Sequence, residues 1–150
     1  MLELYYDKKE YSSFILKKDL KAMIKTIAEE LEMKTNFSFS IIDSKRMIEI
    51  NTEYRNKNEN TDIITFCDSD GMPFPVNGQI YYGDVFINLE KMYENAENMN
   101  VSAKEEMLRL VIHGLLHLKG LDHKTNDFEK EDMLILQESI VNKYKNILKY

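Results

Sequence analysis

All three histidines of this 150-residue chain fall in the stretch HGLLHLKGLDH, at His113, His117 and His123. Imidazole nitrogens bind borderline metal ions, and two of them four apart on a helix share one face, one turn apart. Ser102 and Glu105 form a Ser-x-x-Glu helix start, so the spacing predicts a helix from about 103 to 119, with Gly120 as its stop. Beyond Gly120 the chain can turn back and carry His123 to the same point. Three neutral imidazoles suit Zn²⁺ and leave a fourth position open for water, although nickel, copper and iron also accept imidazole. Three unrelated histidines are the alternative, and their clustering at ligand spacing argues against it. A closed site needs a fourth protein ligand, for which the single cysteine, Cys67, is a sequence-distant candidate. The open arrangement is the expectation.

The spacing is that of the His-Glu-x-x-His-x-x-Gly-x-x-His zinc motif of metalloproteases, but Gly114 stands where those enzymes carry a glutamate general base. Peptide hydrolysis by that route therefore lacks its base. Phosphodiester cleavage needs one less, because bound zinc lowers the pKa of water to about 7 and can polarise a phosphoryl oxygen. Asp122 either accepts a hydrogen bond from a ligand N–H or serves as the polar residue of a turn. Glu106 is seven residues before His113, about 10 Å along a helix axis. That is too far for direct proton transfer, so it is expected to be a solvated or salt-bridged surface residue.

The elements that must position these groups can be read from periodicity. LELYY (2–6) suits a short strand, and apolar residues from Ser12 to about Met33 recur at helical spacing. NFSFSIID (36–43) alternates as a strand does, and Asp43 or Ser44 can cap a helix ending near Arg55. DIITFC (62–67) reads as a buried strand and IYYGDVFIN (80–88) as its hairpin partner, joined by a long turn over 68–79. Gly83 in that second strand suggests a bulge or the close approach of another group. Helical spacing resumes at Leu89, and Asn126 with Glu129 can cap a last helix to about Leu148. The order predicts one α+β domain over 1–150, a small mixed sheet of about four strands packed with helices, with a zincin-like metal-site helix.

Composition narrows the setting. The net charge of −6 argues against a large nucleic-acid footprint but not against a small site for a few phosphates. The basic residues are 17 lysines and only three arginines, Arg46, Arg55 and Arg109, which singles out each planar fork of donors. No apolar run approaches the roughly 18 residues of a membrane span. The mixed polar N-terminus is unlike a signal peptide, and one cysteine suits a reducing cytosol. A cytoplasmic protein is expected.

The whole pattern resembles the YbeY-type endoribonucleases, bacterial rRNA maturation factors. Their signature His-Gly-x-Leu-His-Leu-x-Gly-x-Asp-His is matched at every fixed position, from His113 to His123. INTEYRNKNENTDIITF (50–66) is similar to the family's Asn-x-x-Tyr-Arg segment and following strand, and YGDVFIN (82–88) to its Gly-Asp strand. The resemblance covers about residues 50 to 140. It implies zinc on His113, His117 and His123, and single-strand-specific RNA cleavage in rRNA maturation, including 16S 3′ end processing, and in ribosome quality control. Partners would be precursor rRNA and the small ribosomal subunit with its proteins. It also implies a functional Arg55; on residues alone Arg55 is an ordinary cation in a helix's last turn. Asp62 and Asp84 fall at matched strand positions; each could orient a ligand or an arginine, or cap a turn or bulge, and a structural role is the expectation for both, particularly for Asp84 beside Gly83. Two departures are Cys67 where the family usually has proline and Gln137 where it often has glutamate; neither is expected to touch a ligand. Alternatives are a non-enzymatic zinc-binding assembly factor and a metal-dependent hydrolase of another substrate.

Overall fold

The computed structural model describes residues 1–67, 74–76 and 79–146. Its main sheet runs β1(Leu2–Tyr6)–β2(Phe37–Ile42)–β6(Gly83–Asn88)–β3(Ile63–Cys67). The first three strands are parallel and β3 is an antiparallel edge strand, so the sheet is mixed. Five α-helices accompany it among the described residues: α1(Lys17–Glu30), α2(Ser44–Arg55), α3(Leu89–Met99), α4(Ala103–Leu118) and α5(Asp132–Tyr144). This is an α+β fold.

Alternation sorts the strands' side chains onto two faces. Phe37, Phe39, Ile41, Val85 and Ile87 form one face with Leu2 and Leu4, and the main core joins them to α1, α4 and α5. Ile42, Ile64, Phe66 and Phe86 lie on the other face, where Met47 and Ile50 of α2 cover them. Helix α4 is the hub. Met107, Leu108, Val111, Ile112, Leu115, Leu116 and Leu118 are buried all around its circumference, the signature of a helix inside the protein rather than on it.

Gly114 lets α4 come this close. A Cβ there would sit 2.9 Å from Val85 Cγ1 and 3.3 Å from Ile63 Cδ1, on the two strands beneath. Gly83 serves the same packing from the sheet side. Its φ is +141°, and a Cβ would meet the Phe66 carbonyl oxygen at 2.0 Å and Leu118 at 3.1 Å. Of the two readings of Gly83, close approach is the one seen.

Several boundaries differ from expectation. Residues 80–88 are not one strand: β5(Gln79–Tyr81) pairs with β4(Phe74–Val76) in a separate ribbon, and the backbone at Gly83 breaks it from β6. Most of the 68–79 turn lies outside the described residues. Helix α1 starts at Lys17 rather than near Ser12, because Lys9–Ser13 winds as a 3-10 turn. The Tyr6 hydroxyl then bonds the Ile15 carbonyl at 2.8 Å. Helix α5 starts at Asp132, not near Asn126; Asp127 Oδ1 accepts from the Glu129 N–H, and Glu131 precedes the first turn. Its expected end near Leu148 lies outside the described residues.

Gly114→Ala should lower the melting temperature although alanine favours helix by about 1 kcal/mol, because overpacking costs roughly 1–3 kcal/mol. In a Val85→Ala background the same substitution should become neutral or stabilising. A double-mutant cycle by denaturant unfolding measures this coupling, and simple additivity would refute the contact.

Candidate metal centre

The Ser102 side chain caps α4 by accepting from the Glu105 N–H at 3.0 Å. At the far end Gly120, with φ +105°, closes a Schellman turn: its N–H reaches the His117 carbonyl at 2.9 Å, and the Leu121 N–H reaches the Leu116 carbonyl at 3.0 Å. That turn sends the chain back over α4 and brings His123 beside the other two imidazoles. The ligand-capable atoms of His113, His117 and His123 all lie within 4.8 Å of one another. The Nε2 atoms of His113 and His117 are 3.1 Å apart. Two nitrogens at about 2.1 Å from a tetrahedral ion sit about 3.4 Å apart, so this spacing fits a shared metal.

Ring orientation is set from outside the cluster. His117 Nδ1 lies 3.1 Å from the Leu121 carbonyl, His123 Nδ1 2.7 Å from the Thr125 carbonyl, and His113 Nδ1 2.7 Å from Gln137 Oε1. A carbonyl oxygen only accepts, so each Nδ1 must carry the proton, which in a neutral ring leaves the lone pair on Nε2. The Thr125 carbonyl is itself held: Glu131 accepts from the Thr125 N–H at 3.0 Å and its hydroxyl at 2.7 Å. Burial pushes the His113 pKa down, with the neighbouring His123 adding to it. Burial, His113 and His123 together push His117 down to about 4. Both shifts favour the neutral ring in His113 and His117, the form that a metal ligand needs.

A cleft of about 710 Å³ opens onto these rings and includes Arg55, Asp62, Thr65 and Cys67 in its walls. Arg55, the last residue of α2, is exposed and makes no hydrogen bond or ion pair among the described residues. Arg109 also lines the cleft but is engaged by Glu105, Glu106 and Glu138 at 3.1, 2.9 and 2.8 Å. Burial opposes its charge, yet those carboxylates hold its pKa above the usual arginine value. Asp62 Oδ2 accepts from Asn95 Nδ2 at 2.9 Å, while its carbonyl accepts from the Asn88 N–H. Asp122 lies 3.9 Å from His117 Nδ1, beyond hydrogen bonding, and instead accepts the His123 N–H at 2.8 Å. Asp84 accepts from Ser38 and Tyr81 at 2.6 and 2.8 Å, which ties β2 to β6. Cys67 Sγ lies 3.4 Å from the His117 carbonyl, and the ligand cluster among the described residues is three imidazoles without a thiol.

Two expectations need correction. Glu106 is salt-bridged, but it is not on the surface: it is 2% exposed, and burial raises its pKa against the pull of Arg109. The two departures from the family pattern do touch the ligands, Gln137 through the His113 ring and Cys67 through the His117 backbone. Gln137 had a signal in the sequence, as the one polar residue in the buried stripe Met133, Leu134, Gln137, Ile140 and Val141 of α5. The carbonyls of Leu121 and Thr125 had none, because any residue offers one.

The sequence model of the family described as Endoribonuclease YbeY matches residues 3–145. An endoribonuclease YbeY of Borreliella afzelii is 42% identical over 117 residues, which cover 75% of this chain and 77% of that protein. One from a Sulfurihydrogenibium species is 36% identical over 138 residues, covering 91% and 89%. The solution structure of a Thermotoga maritima protein shares the fold, with a TM-score of 0.57 at 23% identity over 97% of this chain and 93% of that one.

A histidine with a folded pKa below its ordinary 6.5 is protonated first in the unfolded chain, so acid favours unfolding. For His117 this penalty is absent well above pH 6.5, grows below it, and is complete below about 4. Melting curves of metal-free protein should therefore fall across that window, and His117→Ala should flatten the fall. Parallel profiles for the two proteins would contradict the buried neutral ring.

Proposed function

The chain belongs to the endoribonuclease YbeY family, and on that premise we propose that it is a metal-dependent endoribonuclease acting on single-stranded RNA. The observation that carries this reading is the convergence of three imidazoles, whose ligand-capable nitrogens lie within 4.8 Å of one another, on a cleft whose wall includes Arg55. His113, His117 and His123 would hold one Zn²⁺, and the donor set fits it. Bound there, zinc supplies Lewis acidity toward water and a phosphoryl oxygen.

The chain's own residues do the rest. Arg55 binds the scissile phosphodiester through its planar fork and stabilises charge that develops on the phosphorus centre. Arg109, held by three carboxylates, supports the site from behind and is not available for phosphate. Gly114 places no glutamate beside the first histidine, so this helix does not supply the general base that peptidases carry at that position. Asp62, through Asn95, and Asp122, through the His123 backbone, support the loop after α2 and the third ligand.

The physiological substrate in this reading is precursor ribosomal RNA, including the 3′ end of 16S rRNA, and the setting is cytoplasmic ribosome maturation and quality control. A net charge of −6 favours docking on the small ribosomal subunit through its basic proteins rather than through a broad RNA footprint. No helix among the described residues is long and apolar enough to cross a membrane.

Cleavage of a short single-stranded RNA by metal-quantified protein tests the proposal. His117→Ala should abolish turnover. Arg55→Ala should keep its metal and lose about 10- to 100-fold in kcat/KM, the worth of a charge-assisted hydrogen bond, with Arg55→Lys recovering only part. Equal cleavage by wild type and His117→Ala would place the activity elsewhere, and full activity in Arg55→Ala would remove that residue from the mechanism.

A further inference from the structure

The imidazole of His113 differs from the other two in what faces its Nδ1. The Leu121 and Thr125 carbonyls can only accept, whereas Gln137 presents an amide with an accepting end and a donating end. Only one orientation of that amide leaves His113 Nε2 with a lone pair toward the cluster. With the NH₂ end turned inward, His113 Nδ1 would have to accept, and the ring proton would move to Nε2. Gln137 is 2% exposed, so water is no ready substitute partner.

The amide's orientation is fixed by what lies behind it. Gln137 Nε2 donates to Glu138 Oε2 at 3.0 Å, and a carboxylate cannot donate back. Glu138 is gripped along one edge of a guanidinium, accepting from Arg109 Nε at 2.8 Å and from a terminal Arg109 nitrogen at 3.0 Å. Arg109 is anchored on its own helix by Glu106 at 2.9 Å and Glu105 at 3.1 Å. Each link has one chemically permitted direction: carboxylates accept, guanidinium donates, and the amide passes the direction on. We propose that Gln137 is a positioning residue that selects the metal-binding tautomer of His113, and that the Arg109–Glu138 pair holds its amide in the required orientation. The proposal rests on the reading of the three histidines as metal ligands and adds the residue that prepares one of them.

The test reads the tautomer directly. In metal-free, ¹⁵N-labelled protein at pH 8, long-range ¹H–¹⁵N correlations show which ring nitrogen carries the proton. Wild-type His113 should be protonated on Nδ1. Gln137→Leu should shift it toward Nε2 protonation and weaken Co²⁺ binding by about 10- to 100-fold, the usual cost of losing a partner behind a ligand. Gln137→Glu keeps an accepting oxygen, so it should retain the Nδ1 proton and Co²⁺ affinity. Glu138→Gln, which can donate as well as accept, should leave His113 a mixture of tautomers. Nε2 protonation of His113 in the wild type, or an unchanged tautomer and Co²⁺ affinity in Gln137→Leu, would overturn the proposal. If Gln137→Leu does not fold, the wild-type and Gln137→Glu spectra decide it. Wild-type protein with the expected tautomers but no Co²⁺ binding would sink the metal-site reading and leave the positioning role of Gln137 standing.

Discussion

The rest of the structure depends on how closely α4 lies on the sheet. At Gly114 the helix backbone is so near Val85 and Ile63 that even a methyl group would be crowded, and at Gly83 the sheet backbone yields in turn to Phe66 and Leu118. That approach buries α4 on all sides and fixes where the histidines one residue before and three residues after Gly114 can project. It also explains the missing glutamate. A side chain at position 114 would point into the helix–sheet interface rather than into the cleft, so the position is occupied by packing and has no room for a base. The chemistry at this centre therefore has to come from elsewhere in the cleft.

Once the helix is placed, the imidazoles still need orientation, and three different parts of the chain provide it. The Schellman turn at Gly120 aims the Leu121 carbonyl at His117, the loop pinned by Glu131 aims Thr125 at His123, and α5 delivers Gln137 to His113. Helix α5 thus governs two of the three rings, one directly and one through the residue that precedes its first turn. The arginines divide between two tasks. Arg109 is buried among carboxylates and keeps its partners rigid, whereas Arg55 is exposed at the cleft with its donors uncommitted among the described residues.

Much of this was legible in the sequence, and the parts that were not have physical reasons. The histidine cluster could be read because helical spacing and a glycine stop are local signals, and α2 and α4 carried their own caps at Asp43 and Ser102. The strand order was not readable, since β1, β2 and β6 pair in parallel across long connections that leave no local trace. Glu106 was misplaced on the surface: its partner Arg109 lies three residues on along the same helix, but the burial of both is set by what packs around α4, which spacing does not reveal. The Asn126 cap failed because the segment after His123 is held by Glu131, so the chain cannot start its helix before that loop is closed. The role of Gln137 was missed for a related reason: its partner, His113, is 24 residues away on another helix.

In the proposed centre, three imidazoles hold one metal ion and a fourth position stays open. X-ray absorption on protein loaded with one equivalent of zinc measures that most directly. Three imidazole nitrogens at about 2.0–2.1 Å with one further light atom are the expected result. A sulfur neighbour at about 2.3 Å, which would bring Cys67 in as a fourth ligand, or fewer than three imidazoles, would contradict it.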